Sequence, residues 1–365
     1  MSDLIEDSAQ RLFDSHAPGP DAGLTADLPA RGWDGALWSA IAGAGYPLAL
    51  LREDQGGFDL PAAAALGLIR LAGARALTLP LGETMLANWL WARAGLGLCD
   101  GPAGFGWGGH LQAVGAGGAD GTDGAVWRVT AHLPRVAHGR DLAGLALLAR
   151  GQDGASYLCH LPPGGWQVAP ARNLASEPRD DLVIDMDLPA GQVARYDLDG
   201  ETLAALGAMI RSLSIAGAAD AALELSLRYA NDRVQFGRPI GRFQAVQQQL
   251  AVMAGEVAAT RAGADMVAQA FAGFDAAPAG FALAAASAKL RASEAAGKIA
   301  SIAHQTHGAI GITRDYPLHP LTRRLWAWRD EHGNEAHWAG VIGAQVCALG
   351  PDGFWPMLTT PAGAA

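Results

Sequence analysis

The segment Arg228–Leu250, RYANDRVQFGRPIGRFQAVQQQL, gathers an arginine, an aromatic ring and an amide around one helix-breaking tripeptide. Gly237-Arg238-Pro239 ends one long apolar run before the next begins, so Arg233, Phe236 and Gln244 fall around a single corner. A planar guanidinium can fork onto a diphosphate, a phenyl ring can lie against an adenine or a flavin, and a carboxamide can donate or accept at a ring edge. The plainer reading of the same spacing is a helix turn in which Arg233 pairs with Asp232 or with an adjacent helix. A second segment, HQTHGAIGITRDYPLH at His304–His319, ends a helical run at Gly308 and turns through Gly311 before Pro317. Glycines there let backbone approach a ligand closely, and the Gln305 amide on the last turn can reach one. His304 and His307 stand at i and i+3, but no third or fourth ligand lies at metal-site spacing, so structural or ligand-lining imidazoles fit better than a metal centre.

Other chemistries drop out. GFGWGG at Gly104–Gly109 matches a dinucleotide-binding glycine pattern by letter, but no strand precedes it and no helix follows whose N-terminus could hold a pyrophosphate. No Walker loop, nucleophile elbow or zinc-protease motif occurs, which disfavours NAD, ATP and zinc. A net charge of −10 without a Lys/Arg-rich run gives no footprint for a nucleic-acid backbone or an anionic membrane surface. Cys99, Cys159 and Cys347 are too few and too scattered for a disulfide framework, in keeping with a reducing, cytoplasmic setting. The N-terminal stretch Met1–Ala17 has neither a basic nor an apolar leader region, and no later stretch reads as long and apolar enough to span a bilayer.

The elements that must position these residues change along the chain. Helical periodicity marks residues 1–100: Leu4, Leu12 and Phe13, then Trp38 and Ile41, then Ala62–Ala74 and Leu86–Ala94, punctuated by Gly56-Gly57 and Pro80. Residues 101–197 switch to short apolar or alternating runs between Gly-rich turns, as in Trp127–Ala131, Leu145–Ala149 and Leu182–Met186, and predict a small β domain. Residues 198–365 hold four long Ala/Leu-rich stretches, Glu201–Asn231, Phe243–Gly273, Phe281–His307 and His319–Leu349, the pattern of a four-helix bundle. The fold class is therefore α+β and mostly α, in three domains. The long helices carry more apolar surface than a monomeric bundle needs, which predicts a homo- or hetero-oligomer, a tetramer or dimer of dimers. Trp326, Trp328 and Trp338 crowd the last stretch and serve either as core and interface or as the lining of a wide pocket.

Taken in order, REDQGGFDLP at Arg52–Pro61, RVQFGRPIGRFQAVQ at Arg233–Gln247 and QTHGAIG at Gln305–Gly311 resemble the acyl-CoA dehydrogenase family, and in particular the subunits of its sterol-degrading heteromers. The resemblance covers nearly the whole chain. It implies an N-terminal helical domain, a central β domain and a C-terminal bundle that builds the oligomer. It also implies FAD at a subunit interface, with Arg233, Phe236 and Gln244 reaching a neighbour's cofactor and Gln305, Gly308 and Gly311 forming a second cofactor strip. The implied reaction removes the α proton of an acyl-CoA with a glutamate while hydride passes from the β carbon to the flavin, giving a trans-2-enoyl-CoA whose electrons go on to an electron-transfer flavoprotein.

The base is where this sequence departs from the family pattern. Counting from YPLHPLTRR places His332-Gly333 where the usual glutamate and its glycine stand, and counting back from Gly237 places Gly207 at the family's alternative glutamate position. The β domain has GFGWGGHLQA and Trp127–Leu142 in place of the usual flavin-facing loop and Trp-Ile-Thr segment. Three readings are open: an active dehydrogenase whose base is Glu331, Asp330 or His332; a non-catalytic partner that completes the flavin site of a catalytic subunit; and a flavin-dependent hydroxylase on the same fold. Beside the first stands the plain alternative that Glu331 is a solvated surface acid.

Overall fold

The computed structural model describes residues 2–16, 33–114 and 126–359. Met1 and Ala17 of the N-terminal reading, and residues 115–118 of the run after the glycine-rich false match, lie outside the described residues. Contacts divide the chain into two compact units, one of residues 31–60 and 78–203, the other of residues 1–30, 61–77 and 204–365.

The first unit carries α2 (Gly35–Gly43), α4 (Leu81–Arg93) and seven strands: β1 (Ala103–Ala113), β2 (Val126–Ala137), β3 (Gly144–Gly151), β4 (Ser156–Leu161), β5 (Trp166–Ala169), β6 (Arg179–Pro189) and β7 (Val193–Arg195). The strands form one sheet in the order β5-β6-β2-β1-β3-β4-β7, with β1 and β3 parallel. The unbroken apolar run Gly-Leu-Ala-Leu-Leu-Ala of β3 is buried along its length, as a strand covered on both faces requires. GFGWGG lies inside β1, where a bulge between Trp107 and Gly109 shifts the register and Gly108 takes φ 100°. A strand interior is no phosphate cradle, so the structure agrees with rejecting that motif. Within Trp127–Leu142, β2 ends at Ala137, and the turn after it is tied down by the fully buried Asp180, which accepts from the Arg140 Nε at 3.0 Å and from the backbone N–H groups of Arg140 and Ala171 at 2.9 and 3.0 Å. Burial alone would raise that carboxyl; these donors hold it below the ordinary carboxylate range.

The second unit contains α1 (Ser2–His16), α3 (Ala62–Ala74), α5 (Gly200–Asp232, of which residues 204–232 belong here), α6 (Gln244–Ala272), α7 (Pro278–His307), α8 (Leu318–Arg329) and α9 (Glu335–Thr359). Its core joins Ile215, Ala218 and Ala222 of α5 to Met253 and Val257 of α6, Ala296 and Ile299 of α7, and Leu321, Leu325 and Trp328 of α8. Small residues let the helices meet closely: a β-carbon on Gly217 of α5 would sit 1.9 Å from the carbonyl oxygen of Arg70 on α3.

Two sequence expectations need correction here. The stretch His319–Leu349 is not one helix. It breaks after Arg329 and restarts at Glu335, because His332 and Gly333 take left-handed φ values of 52° and 86°, which an α-helix cannot contain. Asn334 then caps the new helix by accepting from the His337 N–H at 3.0 Å. Nor is the chain without a stretch of membrane-spanning length: Gly200–Asp232 meets that measure by length and composition, but 89% of its most apolar window is buried inside the protein. Its hydropathy belongs to a core helix covered by other helices.

Candidate functional site

The end of α5 and the start of α6 build the arginine corner. A two-residue hairpin pairs β8 (Val234–Gln235) with β9 (Arg238–Pro239), and its turn residues Phe236 and Gly237 have φ 51° and 80°. Two successive positive φ values suit the twist of a tight hairpin, but only glycine takes them without steric cost. Phe236 nevertheless occupies the first, and its ring is 92% exposed, standing edge-on 6.1 Å from Phe243. Arg238 covers the other ring, its guanidinium carbon 4.3 Å from the Phe243 centroid. Arg233 and Gln244 are both exposed. No ion pair among the described residues engages Arg233, so the plain reading in which it pairs with Asp232 is not realised.

The second strip meets the first through aromatic rings. His307, on the last turn of α7, stacks on Tyr229 of α5 with centroids 4.6 Å apart and lies 4.9 Å from Tyr316. Tyr229 is one turn before Arg233 and accepts its backbone N–H at 2.9 Å, so this stack brings the ends of α5 and α7 to the same end of the bundle. Gln305 is exposed on that end, and Gly308 closes α7 with φ 62°. Gly311 has a different task. It is buried, and a β-carbon there would stand 2.9 Å from His307 Cβ and 3.1 Å from Leu318, so its smallness serves packing.

Behind this rim is a layer of imidazoles, His307 and His319 buried and His304 half-buried. His307 donates to the Ala303 carbonyl through Nδ1 at 2.8 Å, and His304 Nε2 meets Thr322 Oγ1 at 2.9 Å while its ring stacks on Trp326. Burial lowers the pKa of both, and it takes His319, beside Arg323, Arg314 and Arg324, down to about 4. Among the described residues no three His, Cys, Asp or Glu side chains converge as a metal site.

The base region is the turn between α8 and α9. Asp330 is its first residue, capping α8. Glu331 is buried, not a solvated surface acid, and accepts a hydrogen bond from Arg211 Nε on α5 at 2.6 Å. His332 is partly exposed and stands against Gly207 of α5, where an added β-carbon would lie 2.3 Å from the imidazole Nδ1. Positions 207 and 332, found by two independent counts along the sequence, thus face one another, and neither carries a carboxylate. Trp328 and Trp338 are buried, and the Trp338 indole donates to the His332 carbonyl at 2.9 Å, a core role that spacing alone left open.

Lys289 of α7 went unnoticed in the sequence. Its side chain has no exposed surface and donates to Ser293 Oγ at 2.9 Å and to the carbonyls of Arg329 and Gly333, each at 2.7 Å. Burial pushes the ammonium down to about 7 while the Glu331 carboxylate pulls the other way. Three acceptors use all three N–H groups of the charged form. The sequence signal was faint: a lysine two residues before Arg291 inside the alanine run AAASAKLRA.

Residues 202–346 match the family described as acyl-CoA dehydrogenase, C-terminal domain. Over 107 residues the chain is 46% identical to a 3-sulfinopropanoyl-CoA desulfinase of Paraburkholderia xenovorans, covering 29% of this chain and 26% of that protein. It is 43% identical over 108 residues to acyl-CoA dehydrogenase IpdE2 of Mycobacterium tuberculosis, covering 30% and 31% respectively. The aligned stretch spans a third or less of each of these relatives' own lengths. The fold extends further than the sequence likeness. The ChsE4–ChsE5 complex of Mycobacterium tuberculosis is similar over 96% of this chain and 98% of the matched chain, with a TM-score of 0.79 at 20% identity.

Proposed function

We propose that the chain, whose residues 202–346 match the family described as acyl-CoA dehydrogenase, C-terminal domain, and whose fold is similar to solved members of that fold over 96% of its length, is a subunit of an FAD-dependent assembly for the α,β-dehydrogenation of acyl-CoA thioesters, and that it completes the flavin site of a catalytic partner. The observation that carries this reading is the pairing of Gly207 with His332: both places where a base would stand lack a carboxylate. Of the alternatives, Asp330 sits at a helix end and Glu331 is committed to Arg211. The arginine corner supports the other half of the reading. Arg233, Phe236, Gln244 and Gln305 are exposed together at one end of the bundle, as groups meant for a ligand shared with a neighbour would be.

FAD, when bound, supplies the two-electron acceptor for the hydride leaving the acyl β carbon. The residues of this chain bind and orient. The Arg233 guanidinium would neutralise the diphosphate, Phe236 would cover an aromatic face, and Gln244 and Gln305 would hydrogen-bond at the cofactor's polar edges. The α proton would go to a carboxylate of the partner. An assembly of this kind resembles in composition the two-component ChsE4–ChsE5 complex, and a solved steroid ACAD of similar fold supports ring-system acyl groups; a tetramer of unlike subunits in the cytoplasm, with an electron-transfer flavoprotein as acceptor, completes the proposal.

The test is expression of the chain alone and together with a carboxylate-bearing acyl-CoA dehydrogenase sought among the genes next to its own. Alone, the chain should be flavin-poor and inactive with a panel of acyl-CoA thioesters and an artificial electron acceptor. Together, the pair should be yellow and active. Stoichiometric FAD and turnover in a homo-oligomer would instead establish the second reading, which the imidazole over Gly207 favours, that of a dehydrogenase with His332 as its base.

A further inference from the structure

The turn that bears His332 is held by more groups than a helix break needs. We propose that Lys289, Trp338 and Arg211 are positioning residues, which together fix the left-handed His332–Gly333 turn so that the imidazole stands against the Cα of Gly207. Three side chains on three different helices act on this one turn. From α7, Lys289 Nζ donates to the carbonyls of Arg329 and Gly333, both at 2.7 Å. From α9, the Trp338 indole donates to the carbonyl of His332 at 2.9 Å. From α5, Arg211 grips the Glu331 carboxylate at 2.6 Å.

A break left to solvent would satisfy those carbonyls with water. Drawing them inward onto a lysine with no exposed surface requires removing an ammonium from water, which proteins rarely do without specific partners. The backbone is also strained at His332, a β-carbon-bearing residue at φ 52°, and such conformations persist where their surroundings over-determine them. If the contacts served only to fill the core, an apolar side chain in place of Lys289 would serve as well. Their common effect is on the backbone from 329 to 333, whose one partly exposed imidazole lies on Gly207. Glycine at 207 is the counterpart of this clamp, because any side chain there would meet the ring. What the imidazole does for an acyl group rests on the function proposed above; its placement does not.

The experiment is a set of double-mutant cycles on the full chain, read by chemical denaturation without cofactor or partner. In the wild-type background Gly207→Ala should shift the folding equilibrium toward the unfolded chain by about tenfold or more, and in Lys289→Met or Trp338→Phe, where the ring can swing aside, by less than about threefold. NMR of histidine-labelled protein gives a second readout. The His332 ring signals, assigned with His332→Gln, should move toward those of a solvent-exposed imidazole in both clamp variants. Equal Gly207→Ala penalties in all backgrounds would overturn the proposal. Should the double variants fail to fold, an unmoved His332 signal in Trp338→Phe would do the same. Neither measurement needs flavin, so a failed clamp and a failed flavin assignment remain distinct results.

Discussion

The turn at residues 330–333 and the corner at residues 233–244 both display left-handed backbone, yet they are supported in opposite ways. At the turn, buried donors from α5, α7 and α9 meet the carbonyls and the one buried carboxylate. At the corner, Phe236 takes a positive φ with its ring almost wholly in solvent, and Arg233 has no ion-pair partner among the described residues. A strained, polar feature satisfied from inside needs nothing further. An exposed arginine and ring are met by water in the isolated chain, and it is on this exposure that the ligand- and partner-facing role proposed for the corner rests.

The comparison breaks most directly at Arg211. Arg211→Ala leaves the Glu331 carboxylate buried without its principal partner and should cost about 3–5 kcal/mol, measured by urea or guanidinium unfolding. A value near that of a surface substitution would mean that the turn is not held from within. A smaller effect should come with pH, from the histidine layer behind the corner. His319 titrates at about 4 in the folded protein, well below the ordinary histidine value, because burial disfavours its cation. Between about 6.5 and 4 the unfolded chain therefore holds the extra proton and the folded chain does not. The loss of stability should reach up to about 3 kcal/mol as pH drops through that window and level off below it, and His319→Phe should flatten the profile.

At the corner the effects on the isolated chain should be smaller and partly of opposite sign. Phe236→Gly removes the cost of a left-handed aromatic residue and should stabilise the chain by up to about 1 kcal/mol, as read from the thermal midpoint, while reducing flavin retained by the co-expressed assembly. Arg233→Ala should alter the stability of the isolated chain by less than about 0.5 kcal/mol, yet lower the flavin content of the assembly as judged by its visible absorption. If either substitution destabilised the chain as strongly as Arg211→Ala, the corner would be a structural element and the contrast between the two regions would vanish.

Much of this was legible along the chain. The switch from helical to alternating patterns located the sheet and the helices that precede and succeed it in sequence, because burial on one face imposes a period that local sequence must obey. A break between two long helices was announced by Gly237-Arg238-Pro239, and the candidate cofactor residues by their types around it, but not the two-stranded hairpin that forms the break. The break in the last long stretch was also written in the sequence, as His332-Gly333-Asn334, but alanine, leucine and tryptophan on both sides outweighed it. Glu331 looked like a surface acid because glutamates are mostly exposed; its partner, Arg211, lies on another helix.

The sequence by itself determined where helices give way to strands and strands to helices again, where the ligand-type residues cluster, and that neither expected base position carries an acid. Only the tertiary structure decided that Gly207 and His332 face one another, and that Lys289, Trp338 and Arg211 converge on the turn between them. The reason is one of range. Periodicity and turn chemistry act over a few residues and can be read in order, whereas the burial of a charge or the fit of a ring against a glycine depends on residues brought together across the bundle, which no local pattern encodes.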